Sequence, residues 1–147
     1  MTEHEKRARE FFLSGYNCAQ SVLMAYSAEL GMDEATAARI SSSFGGGVGR
    51  MREICGAISG GCMALGLRYG DYDHTVPEAK AEHYARIQKY VEAFRAEKQA
   101  ILCRDLLGLQ ENAPTPPTPE PRTPAYYQKR PCEELVGCAA RLLEDML

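Results

Sequence analysis

The sequence predicts an all-α, single-domain bundle of about five to seven helices, on three observations. Ala and Leu supply 32 of the 147 residues while Val and Ile supply ten, a balance that favours helices over pleated strands. Apolar residues recur three and four apart along most of the chain, the period of one helix face. Glycines and prolines fall between those stretches, where they punctuate helices. A chain of 147 residues buries one core and is short for two domains.

Glu3 to Leu13 sets Ala8, Phe11 and Phe12 on one side and stops at Ser14-Gly15. Asn17 is the expected cap of a second helix, in which Cys18, Val22, Tyr26 and Leu30 fall four apart before Gly31. Asp33 caps a third, running to about Ser43. FGGGVGRMREICGAISGGC, residues 44–62, then breaks the pattern with seven glycines. Cys55, Ile58, Cys62 and Leu65 mark a fourth helix that ends near Gly70. The fifth runs from Pro77 to about Gln99, with Tyr84, Ile87, Val91 and Phe94 on its buried face. A short turn of helix covers Cys103 to Leu107 and stops at Gly108. Residues 113–124 hold six of the eight prolines, so a stiff, extended connector is expected there. Its Pro114-x-x-Pro117 reads more simply as connector than as a ligand for a proline-binding module. Pro131 opens the last helix, with Leu135, Ala139, Leu142 and Met146 on one face.

Composition narrows the partners. The net charge of −3 offers no basic footprint, so nucleic acid is not expected. The longest uncharged run, Phe11 to Ala28, has eighteen residues and is broken by Ser14, Gly15, Asn17 and Gln20, and the next, Ile54 to Leu67, has fourteen. Both fall short of the roughly 20 apolar residues that cross a bilayer, so no membrane insertion is expected. MTEHEKRAREFF lacks the apolar core of a signal peptide, and the expected location is cytoplasmic. GGGVGR lacks the Gly-Lys-Ser/Thr of a phosphate loop and the spacing of a dinucleotide fingerprint, so no nucleotide is expected.

Six cysteines exceed what packing alone predicts for such a chain. Cys18, Cys55, Cys103 and Cys132 each fall at a predicted helix start, where free N–H groups and the helix dipole favour a thiolate. Cys62 and Cys138 fall mid-helix on apolar stripes and are expected to pack in the core. Seven residues of helix, a rise of roughly 10 Å, separate Cys55 from Cys62, too far for a disulfide. Arg50 and Arg52 either raise the positive potential near the Cys55 sulfur or are simply solvated. Among the histidines, His4 is expected to be solvated, His83 to lie at the edge of a packed face, and His74 is a candidate for ligation or proton transfer from a polar loop.

GYNCAQSVL (15–23), FGGGVGRMREICGAISGGCMALGL (44–67), CRDLLG (103–108) and PCEELVGCAARLLEDML (131–147) resemble the C_GCAxxG_C_C family, whose members are described as redox-active and come with no defined substrate. The resemblance covers almost the whole chain. Its ordered cysteines map onto Cys18, the Cys55-Gly56-Ala57-x-x-Gly60 element, Cys103 and Cys132, whereas Cys62 and Cys138 are additions to the pattern.

The leading expectation is a redox protein in which Cys18, Cys55, Cys103 and Cys132 form one site. That site either cycles between dithiol and disulfide, with Cys55 the expected nucleophile, or holds an iron–sulfur cluster on four thiolates. Its partner would be a redox protein or a small-molecule oxidant or reductant, and the chain could pair as a homodimer. Two other readings stay open: a structural or sensing zinc module without turnover, and a helical interaction domain whose cysteines merely pack.

Overall fold

Local signals set most of the helix boundaries. The computed structural model describes all 147 residues. It contains α1 (Glu3–Leu13), α2 (Cys18–Ser27), α3 (Glu34–Ser41), α4 (Gly56–Tyr69), α5 (Pro77–Lys98), α6 (Cys103–Leu106), α7 (Pro124–Lys129) and α8 (Cys132–Leu143). Short 3₁₀ turns at 28–30 and 42–44 extend α2 and α3. The fold is all-helical as expected, with eight helices rather than five to seven. The Asn17 cap of α2 is a reciprocal box: its side chain accepts from Gln20 N–H at 3.0 Å, and the Gln20 side chain accepts from Asn17 N–H at 3.0 Å. Asp33 caps α3 by accepting from Thr36 N–H at 2.9 Å. The unexpected element is α7: Pro124 takes its first turn and Thr123 Oγ1 accepts from Tyr126 N–H at 3.2 Å. The last proline of the connector therefore starts a helix.

One cluster of 21 buried residues forms the core. Its centre is α2, buried nearly all round rather than along one face, with α1, α3, α4 and α8 packed about it. Each fully buried aliphatic side chain there, such as Val22 or Leu23, contributes about 1.5–3 kcal/mol. Ser21 and Ser27 are tolerated because their hydroxyls donate to the Asn17 and Met24 carbonyls.

Helix α5 lies outside and packs by its C-terminal half. Tyr84 is 56% exposed, against expectation, while Tyr90 and Phe94 are buried. The reason is a slot above Gly61, where a Cβ would stand 2.0 Å from the Tyr90 hydroxyl. Tyr90 fills that slot and donates to the Ala139 carbonyl at 2.8 Å, tying α5 to both α4 and α8. His4 is not solvated either. Its ring stacks on Tyr26 with centroids 4.0 Å apart, and its nitrogens meet Glu29 at 2.6 Å and Glu144 at 2.7 Å. No helix is long and apolar enough to cross a membrane.

Candidate functional site

Four helix starts meet at one cavity. Cys18 opens α2, Cys55 caps α4, Cys103 opens α6 and Cys132 opens α8. All four line a cavity of about 440 Å³. Cys55 and Cys103 are held together by an isolated antiparallel bridge between Ile54 and Leu102. Cys55 N–H donates to the Ile101 carbonyl at 2.8 Å and Cys103 N–H to the Glu53 carbonyl at 2.7 Å. Side chains alternate across such a pairing, so the two cysteines, each next to a bridge residue, leave it on the same side. Approach is tight enough that a Cβ on Gly47 would stand 2.8 Å from the Cys103 Cβ.

The glycine-rich loop takes a conformation that L-residues avoid. Gly46, Gly47, Val48, Gly49 and Arg50 all have positive φ in succession, and Arg52 follows at +64°. A left-handed turn costs about 1–2 kcal/mol for each residue with a Cβ, and a β-branched residue such as Val48 is the least suited to it. Arg52 N–H closes the turn on the Gly46 carbonyl at 3.0 Å and Glu53 N–H on that of Gly47 at 2.9 Å. Both Arg50 and Arg52 line the cavity as a result.

The proline-rich connector forms another wall. Pro117, Pro119, Glu120 and Arg122 line the cavity, and Arg50 fastens the strand by donating to the Pro116 and Thr118 carbonyls. Arg122 reaches across to the Phe12 carbonyl at 2.7 Å and the Tyr16 carbonyl at 3.0 Å, with its guanidinium 4.1 Å above the Phe12 ring. Arg130 pairs with Glu120. Sequence reasoning singled out neither Arg122 nor Arg130. The available signal was Arg130, two residues before Cys132. His74 and His83 do not line the cavity.

Electrostatics separates the four thiols. Cys132 is pulled down to about 7, first by the neighbouring Cys18 thiol and then, against the cost of burial, by the charges of Arg130, Arg122 and Arg52. Cys18 is held well above its ordinary value, first by the neighbouring Cys132 and then by burial, so it keeps its proton. Burial pushes Cys55 up to about 12, outweighing the Ala57 and Ile58 N–H groups at the start of α4. Burial also raises Cys103, against the pull of Arg52, whose Nη1 lies 3.5 Å from its sulfur. The helix-start expectation of four lowered thiols is thus corrected at three of them: desolvation outweighs the helix start at Cys55 and Cys103, and at Cys18 the neighbouring Cys132 is the larger cause.

The family described as "Putative redox-active protein (C_GCAxxG_C_C)" matches residues 16–146. The chain belongs to this family. No curated protein and no solved structure gave a match. Within this C_GCAxxG_C_C chain, the cysteines outside the family pattern stand apart from the cavity. Burial pushes Cys62 up to about 11. Cys138 rises to about 12 through burial and through donation to Glu97 Oε2 at 3.3 Å. No three His, Cys, Asp or Glu side chains gather closely enough to hold a metal ion. The four sulfurs share a cavity without forming a ligand cage.

Proposed function

We propose that Cys18 and Cys132 form the working pair of a thiol–disulfide exchange site. The observation that carries this reading is that the two cysteines open α2 and α8 on one cavity lined by four arginines, where Cys132 is lowered to about 7 and Cys18 is raised. A thiolate near neutral pH is the effective attacking species. The Cys132 thiolate attacks one sulfur of a disulfide R–S–S–R, forming a mixed disulfide and expelling RS⁻. That step removes the negative charge on Cys132 and with it the main cause of the raised Cys18 value. Cys18 then releases its proton and attacks the Cys132 sulfur, and the second RS⁻ leaves. Two cysteines are oxidised by two electrons, and the R–S–S–R bond is reduced to two thiols. Cys132 thereby takes the nucleophile's role expected for Cys55, and Cys55 and Cys103 flank the pair.

The test begins with anaerobic purification, measurement of iron and zinc, and reaction with bis(2-hydroxyethyl) disulfide. The expected result is metal-free protein that loses two thiols reversibly, with a Cys18–Cys132 disulfide found by mass spectrometry. Unchanged reactivity in Cys132→Ser, or stoichiometric iron or zinc lost on mutating any of the four cavity cysteines, would overturn the reading.

A further inference from the structure

The cavity has the opposite charge to the chain. Four arginines and one glutamate line it, in a protein whose net charge is −3. Arg50 and Arg122 spend their hydrogen bonds on neutral carbonyls, which leaves their charge in place, and Glu120 is shared between Arg50 and Arg130. Arg52 differs from the other three. Like Arg122 it has no carboxylate partner, but it alone places its Nη1 beside the Cys103 sulfur and has a buried Nε with no acceptor at all. It is also held in the left-handed region by the loop described above. A strained backbone that presents a cation with an unused donor beside thiols is organised for an anion.

We propose that this cavity takes a small disulfide carrying a carboxylate, with the carboxylate against Arg52 and the S–S bond presented to Cys132. This rests on the exchange reading above and names its substrate class. The size fits, since about 440 Å³ walled in part by the proline-rich strand suits a small molecule rather than the surface of a folded protein. Attack by the Cys132 thiolate forms Cys132–S–S–R and releases one carboxylated thiolate. Attack by Cys18 then forms the Cys18–Cys132 disulfide and releases the second, which takes up the Cys18 proton. Each leaving sulfur develops negative charge as its S–S bond breaks, and the same arginines stabilise that charge as it forms.

Three disulfides of different charge separate the ideas: 3,3′-dithiodipropionate, bis(2-hydroxyethyl) disulfide and cystamine. Each rate with the protein is divided by that disulfide's rate with 2-mercaptoethanol. The dianion is expected to exceed the neutral compound by about tenfold or more at low salt, with cystamine slowest. Arg52→Gln brings the dianion-to-neutral ratio toward one, and Arg52→Lys, which keeps the charge and loses the fork, falls between. Suberate, in which the S–S unit is replaced by two methylenes, is expected to protect Cys132 of the unaltered protein from iodoacetamide, so the test survives a variant that fails to fold. A flat ratio with no protection by suberate, while the neutral disulfide still yields Cys18–Cys132, overturns the anion proposal alone. If no disulfide oxidises that pair, the exchange reading itself fails. Reaction with protein disulfides only would likewise exclude the small-molecule substrate.

Discussion

Cys132 and Cys138 sit on one helix, six residues apart, and their chemistry diverges completely. At the start of α8, Cys132 neighbours the Cys18 thiol under the charges of Arg130, Arg122 and Arg52, and is lowered to about 7. Further along, Cys138 is 2% exposed and donates to the Glu97 carboxylate, and it rises to about 12. Both groups are desolvated, so burial alone does not distinguish them. What differs is the sign of the nearest charges: a thiol among cations becomes a thiolate, and one that donates to an anion remains a thiol.

The largest expected effect sharpens this contrast directly. Cys132→Ser should slow reaction with bis(2-hydroxyethyl) disulfide at pH 7 by at least about a hundredfold, whereas Cys138→Ser should leave the rate within about threefold. Stopped-flow thiol consumption measures both, and equal losses would erase the distinction. Next in size is Gly61→Ala at the core end, where the new Cβ meets Tyr90. Overpacking of this kind should cost about 2–3 kcal/mol in urea unfolding, without changing the rate at which iodoacetamide alkylates Cys132.

A third prediction concerns pH. Cys55, Cys62 and Cys138 keep their protons above the range where unfolded thiols lose theirs, about 8.5. The unfolded state then binds fewer protons than the native one. The stabilisation is complete below about pH 8.5 and declines as pH rises toward the folded values, by about 1.4 kcal/mol per pH unit for each such thiol. Cys132 has the opposite sign: its contribution is present above about pH 8.5 and is lost as pH falls through 7. Urea midpoints at pH 9 and 10 should therefore fall less steeply for Cys138→Ala than for the unaltered chain. The smallest effect tests the strained loop: Val48→Gly should raise stability by up to about 1 kcal/mol, because only glycine adopts its positive φ freely. A loss of stability instead would mean that the Val48 side chain offsets its own strain.

Legibility from the sequence followed the range of the interactions. The caps at Asn17 and Asp33 act within three residues, and they stand where the letters placed them. Tyr84 was misassigned and Tyr90 passed unmentioned because the face of α5 that packs is chosen by the Gly61 slot on another helix. Arg122 and Arg130 passed unnoticed for the same reason, since their importance lies in what the proline-rich strand folds against. Arg50 and Arg52 were visible as charges, and their aim depends on a left-handed turn that no residue pattern announces.

By itself the sequence determined the all-α class, the cysteines at helix starts and the family pattern, because periodicity, capping and spacing are local and survive translation into one dimension. Tertiary structure alone decided that the four helix starts share a cavity and that the proline-rich strand walls it. It also decided that Cys132 is the lowered thiol while Cys18, Cys55 and Cys103 are raised. The physical reason is that a thiol's proton affinity is set by desolvation and by charges a few ångströms away, and those neighbours come from distant parts of the chain.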